Sequence, residues 1–125
     1  MKVFILDWNS TLDTLLNPLE TIELIQSKGH MVVLWSTNCR DTDVKEQVDY
    51  YDNHKTDLSA LVIEFGCHTA GTFFDDHGGK PTEIIVIDDM MDSTLRLQNW
   101  YSKRAGIPVR LLSPTALCGI NALVQ

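Results

Sequence analysis

No stretch of this chain is long and apolar enough to cross a bilayer as a helix; nothing approaches the ~18 consecutive apolar positions such a span needs. The opening Lys2-Val3-Phe4-Ile5-Leu6 run is closed at once by Asp7, so this segment is not expected to be a signal peptide. Cysteine is scarce: Cys39, Cys67 and Cys118 are odd in number and form no C-x-x-C pair. That argues against a disulfide framework and for a reducing compartment. Positive charge is also short, with 10 Lys and Arg against 17 Asp and Glu, a net charge of −7. An acidic surface repels a phosphate backbone, so general nucleic-acid binding is disfavoured. Lys103, Arg104 and Arg110 are the nearest thing to a basic patch and read as a solvated face. No internal repeat, low-complexity tract or interdomain linker interrupts the chain. The expectation is a soluble, cytoplasmic, single domain over residues 1–125, with 44% apolar residues to build one core.

What is present is an alternation of short apolar runs and amphipathic stretches. Residues 2–6, 31–35, 60–65, 84–87 and 109–112 read as five strands. They are apolar on both faces rather than alternating, as expected of a parallel sheet covered on each side by helices. Asn17-Pro18 starts a helix, with Glu20 where a capping-box acid would sit, and Gly29 ends it. Val44, Val48 and Tyr51 recur at helical spacing and predict a second helix. Residues 66–80, with four glycines, predict a loop. Leu95, Leu97, Trp100 and Tyr101 predict a helix stopping near Gly106, and Ser113-Pro114 a last helix with Leu117, Ile120 and Val124 on one face. The fold class is therefore α/β, a three-layer sandwich around a mainly parallel five-stranded sheet.

Ligands of such sheets bind outside the carboxyl ends of the strands, and the residues there are polar. The first strand ends in Asp7, the second in Ser36-Thr37-Asn38, the fourth in Asp88-Asp89. Clustered carboxylates repel one another unless a cation sits among them, and a hard divalent ion such as Mg²⁺ prefers carboxylate and carbonyl oxygens. Lys80, just before the fourth strand, can supply a second positive charge. Trp8 and Arg40 can touch a substrate by stacking or by a phosphate fork. Cys39, Cys67, His68 and His77 match no zinc spacing and read as buried thiols and loop imidazoles.

This constellation, in this order, resembles the haloacid dehalogenase-like superfamily of phosphohydrolases. Its first motif, a strand followed by Asp-x-Asp-x-Thr/Val, is matched by Asp7-Trp8-Asn9-Ser10-Thr11 after Phe4-Ile5-Leu6. Its second, a strand ending in Ser or Thr, is matched by Val32-Val33-Leu34-Trp35-Ser36. Lys80-Pro81 matches the third, and Ile84-Ile85-Val86-Ile87-Asp88-Asp89 the fourth. The likeness spans residues 2 to about 112. It implies that Asp7 is a nucleophile forming an aspartyl-phosphate. It also implies that Asp7, Asp89 and the backbone carbonyl of Asn9 hold Mg²⁺, that Asp88 orients Lys80 or a metal-bound water, and that Asp92 is an outer-shell acid. Ser36, or Thr37 beside it, takes a phosphoryl oxygen, and Lys80 balances the anionic charge.

Two features depart from the pattern or narrow it. The second aspartate of the first motif is Asn9. In the family's phosphatases that residue exchanges protons with the leaving oxygen and with the attacking water, which an amide cannot do. Such general acid–base help is typically worth ~10²–10⁴-fold, so turnover of phosphomonoesters should be weak; Asp13 is the nearest spare carboxylate. Second, about 20 residues separate Thr11 from the second strand and about 40 lie between Asn38 and Gly79, too few for a ~50-residue cap domain. Capless relatives tend to act on large substrates, so the expected partner is a phosphorylated molecule: a nucleic-acid end, a phosphoprotein or a nucleotide. The alternative is a catalytically quiet module that binds a phosphorylated ligand. A response-regulator-like receiver also uses a sheet-end aspartate, but its paired acids come early in the chain rather than late.

Overall fold

The structure is a computed structural model that describes residues 1–35, 39–51, 81–89 and 108–125. Among these residues five strands form one sheet: β1 (Lys2–Leu6), β2 (Met31–Trp35), β3 (Asp49–Tyr51), β4 (Glu83–Ile87) and β5 (Val109–Leu112), in the order β3-β2-β1-β4-β5. Every pairing is parallel, with Leu6 beside Leu34 on one side and Ile87 on the other. The continuous apolar runs thus become strands buried on both faces: Val3, Phe4, Ile5, Leu6, Ile84, Ile85 and Ile87 have no exposed surface. This is the expected α/β architecture, and its sheet is wholly parallel.

Alternation of side chains sorts the core into two layers. Val3, Ile5, Met31, Val33, Trp35, Ile84, Val86, Val109 and Leu111 line one face. Phe4, Leu6, Val32, Leu34, Ile85 and Ile87 line the other, and against them pack α1 (Pro18–Ser27) through Ile22 and Ile25 and α2 (Thr42–Gln47) through Val44. The chain leaves β1 and winds outward through β2 to β3. Right-handed crossovers in that direction put α1 and α2 on the same face. After β5, a 3₁₀ turn (Pro114–Gly119) and a short helix α3 (Ile120–Leu123) return to the second layer through Leu117, Ile120 and Val124.

Local sequence explains most of the boundaries. The helix α1 begins at Pro18, although Asn17 makes no side-chain cap bond. It ends as Gly29 expected: Gly29 has φ 82°, its N–H donates to the Gln26 carbonyl at 3.0 Å, and the His30 N–H donates to that of Ile25 at 3.3 Å. This paired closure needs a left-handed residue, which glycine adopts without steric cost. The second helix is capped by Asp41, whose carboxylate accepts from the N–H groups of Asp43 and Val44. Ser113-Pro114 does start the last segment, but its first turns are 3₁₀, and the Ser113 hydroxyl pairs with that of Thr115 rather than with backbone.

One expectation is overturned. Val48 and Tyr51 do not continue the helix of Val44: the helix stops at Gln47, and Asp49–Tyr51 form the edge strand β3 beside Val33–Trp35. A valine and two tyrosines favour extended backbone, and pairing with β2 outweighs a helical spacing supported by a single buried side chain. The strand expected at 60–65, the loop at 66–80 and the helix around Leu95–Tyr101 lie outside the described residues. At the amino ends of the strands, the Lys2 N–H donates to His30 Nδ1 at 3.1 Å. That leaves the proton on Nε2, which donates to the Val124 carbonyl at 2.7 Å. Lys2 Nζ donates to the carbonyls of Leu123 and Gln125, so residues near both termini are tied to the sheet on the side away from the acids.

Candidate metal centre

The strand order reverses between β1 and β4: β2 and β3 run outward on one side of β1, and β4 and β5 lie on the other. In an open parallel sheet this switch point is where the connections diverge and leave a crevice. Asp7 and Asp88 are the first residues beyond β1 and β4 there. The ladder carries on past the strands, since the Asp7 N–H donates to the Ile87 carbonyl and the Asp88 N–H to that of Leu112, each at 3.1 Å. The backbone therefore fixes both acids side by side.

Asp7, Asp88 and Asp89 each offer a carboxylate oxygen, and the three lie within 4.8 Å of one another. Asp7 and Asp88 are half-buried and Asp89 is exposed. Burial and the two neighbouring carboxylates push the Asp7 pKa up to about 8, against a smaller opposing pull from the Trp8 N–H. At neutral pH the metal-free trio therefore keeps a proton on Asp7 and has room for a positive charge. All-oxygen, multiply anionic donors suit a hard divalent cation such as Mg²⁺. The residues present fit that ion, and Asp7, Asp88 and Asp89 are the ones that would hold it.

The loop after Asp7 is tightly folded. The Leu12 N–H returns to the Asp7 carbonyl at 3.3 Å, and the N–H groups of Thr11 and Asp13 both reach the Trp8 carbonyl. The reversal passes through Ser10 at φ 58°, a left-handed conformation unusual for a residue other than glycine and one found often at functional sites. It leads into a 3₁₀ turn at Leu12–Thr14, whose Leu12 is fully buried.

Of the residues singled out from sequence, the structure brings Asp7, Asp88 and Asp89 together. Asn9 is exposed within the loop two residues beyond Asp7. Trp8 is half-buried and packs against the apolar layer that holds Phe4 and Leu6, so part of its ring serves as core. Arg40 is exposed, and Asp13 is exposed in the 3₁₀ turn. Ser36, Thr37, Asn38, Lys80, Asp92, Cys67, His68 and His77 lie outside the described residues. Cys39 is buried, and that burial pushes its thiol pKa up, which makes it a packing residue rather than a reactive one.

Two polar atoms near the site were not legible in the sequence as anything but structural. Thr11 Oγ1 and Trp35 Nε1 are buried with no hydrogen-bond partner among the described residues. Leaving such a group unpaired costs about 1–3 kcal/mol. Composition gives no signal for either, because a threonine in a turn and a tryptophan in an apolar strand usually satisfy themselves. No family model matches the chain, and no curated protein matches it.

Proposed function

We propose that this protein is a Mg²⁺-dependent phosphohydrolase of the capless haloacid dehalogenase-like kind, working through a phosphorylated Asp7. The observation that carries the reading is the trio Asp7, Asp88 and Asp89 at the switch point of a parallel sheet, with Asp7 raised to about 8 by burial and by its two acidic neighbours. The four sequence motifs, in order, add the phosphoryl chemistry to what is otherwise a cation site.

In this reading an Asp7 carboxylate oxygen attacks phosphorus while the bond from phosphorus to the ester oxygen breaks, and the alcohol leaves with a proton from solvent. Water then cleaves the acyl phosphate, releasing phosphate and restoring the carboxylate. Asp7, Asp88 and Asp89 would hold a divalent cation, whose charge would keep Asp7 ionised at neutral pH and offset that of the transferring group. The turn through Ser10 holds the Asp7 backbone in place, and Asp88 and Asp89 supply the negative charge that draws the cation. Lys80 and Ser36 or Thr37 take their roles from the motifs. Asn9 supplies no proton, so esters whose leaving group needs none should be the better substrates.

A second reading keeps the site and drops the turnover: a module that binds a phosphorylated ligand with Mg²⁺. Asn9 favours it. The test is phosphate release from an activated aryl phosphate, with and without Mg²⁺, for the wild type, Asp7→Ala and Asn9→Asp. Metal-dependent release that Asp7→Ala abolishes supports the hydrolase. Release only in Asn9→Asp supports the binding module. Release that persists in Asp7→Ala removes Asp7 from the chemistry.

A further inference from the structure

Trp35 closes β2, and its place in the sheet puts it beside the acids. Leu6 pairs with Leu34, so the next residues of the two strands, Asp7 and Trp35, are register neighbours, about 4.8 Å apart along the sheet. Both follow the same alternation. Val3 and Ile5 precede Asp7, and Met31 and Val33 precede Trp35, all in one apolar layer that Ile84 and Val86, the forerunners of Asp88, also share. One face of the sheet thus presents Trp35, Asp7 and Asp88 in a row across β2, β1 and β4.

Trp35 is 6% exposed, and its indole Nε1 has no acceptor among the described residues. The indole N–H can only donate, and carries no charge. A phenylalanine would fill an apolar position without burying an unpaired donor, so packing alone does not account for the nitrogen. Beside a trio of carboxylates, a neutral donor is suited to an acceptor that arrives with the ligand.

We propose that the Trp35 indole N–H is a ligand-binding group of this site, donating to an anionic oxygen of the bound phosphoryl group. This deepens the reading given above and rests on it. The donor complements the cation: it binds an oxygen on the β2 side of Asp7 and adds no charge that would compete for the acids. It also selects for geometry, because an oxygen must reach a fixed point next to β2 to be bound.

The test uses inorganic phosphate with Mg²⁺ as the probe and the three indole N–H resonances of the ¹⁵N-labelled protein (Trp8, Trp35 and Trp100) as the readout. Trp35→Phe removes and so assigns one resonance, and Trp8→Phe and Trp100→Phe assign it by difference where the first variant does not fold. The expected result is a downfield shift of the Trp35 indole proton as phosphate saturates, with roughly tenfold or greater loss of phosphate affinity in Trp35→Phe, the size expected for a bond to a charged acceptor. A purely structural tryptophan would leave that resonance in place. Saturable phosphate binding with the Trp35 resonance unmoved, or unchanged affinity in a folded Trp35→Phe, overturns this proposal and leaves the phosphoryl site standing. Absence of phosphate binding by the wild type overturns both.

Discussion

Asp7 makes folding stability depend on pH and on metal in a way that can be worked out before any activity is measured. Its carboxyl is raised from an ordinary value of 3.8 to about 8, so between these values the folded protein holds a proton that the unfolded chain releases. The state that binds more protons is favoured at low pH. Without metal, stability should therefore fall as pH rises from about 4 to about 8, and level off above that. At face value the shift corresponds to roughly 6 kcal/mol at ~1.4 kcal/mol per unit. Asp7 is only half-buried, and solvent screening reduces the expected loss to about 1–2 kcal/mol.

The assay is urea unfolding of the wild type and Asp7→Asn at intervals from pH 5 to pH 9, once with chelator and once with Mg²⁺. With a slope of ~2 kcal/mol per molar, the wild-type midpoint in chelator should drop by about 0.5–1 M across the range. Asp7→Asn, which carries a neutral side chain at every pH, should show a flatter profile and be the more stable protein at pH 9. With Mg²⁺ the order at pH 9 should reverse, because the ion binds the intact trio in the folded state only and stabilises it by mass action. A wild-type midpoint that is flat in chelator, or an equal gain from Mg²⁺ in both proteins, would refute the claim that these acids form a charge-starved cation site.

Three further outcomes follow from single contacts. Thr11→Val replaces a buried, unpartnered hydroxyl with a methyl group of similar shape. It should be neutral or stabilising by about 1 kcal/mol, and a melting temperature lowered by several degrees would mean that the hydroxyl has a partner. Asp41→Ala removes the cap of α2 and should cost ~1 kcal/mol, whereas Asn17→Ala, at a cap position without a side-chain bond, should cost clearly less; equal losses in urea unfolding would contradict the assignment. His30→Ala breaks the bridge from Lys2 to Val124 and should cost about 1–3 kcal/mol. Faster amide exchange near residues 120–125 should accompany that loss, and exchange that remains unchanged would show that the bridge does not hold the C-terminal segment.

Four of the five described strands could be read from the chain because each is a continuous apolar run, the one pattern a strand buried on both faces must have. The edge strand β3 could not. Asp49-Tyr50-Tyr51 carries no such run, and what makes it a strand is a neighbour, β2, distant in sequence. The acids were legible for a related reason: a carboxylate closing an apolar strand has no packing role, so Asp7 and Asp88-Asp89 stood out before any geometry was known. Their convergence depends on β1 and β4 being adjacent, a property of strand order rather than of either segment. Trp35 was hidden by the same logic that exposed the acids. In an apolar run a tryptophan reads as bulk, and only the sheet register and the absence of an acceptor among the described residues single out its nitrogen.

Asn9 also has an electrostatic side that is separate from proton transfer. Burial and the carboxylates of Asp88 and Asp89 already hold Asp7, the third acid of the trio, far above its usual range. A fourth, placed by Asn9→Asp two residues away in a tightly turned loop, falls well within the ~10 Å screening length of moderate salt. In the metal-free protein it should raise Asp7 further and destabilise the fold at alkaline pH. With the cation bound, the same charge should strengthen metal binding. An amide at residue 9 therefore suits a site that must remain folded while empty, and the aspartate suits one that is filled most of the time. Calorimetric titration of Mg²⁺ into wild type and Asn9→Asp separates this charge effect from general acid catalysis. If affinity rises in the variant while phosphate release does not, residue 9 acts on the metal; if release rises at unchanged affinity, it acts on the proton.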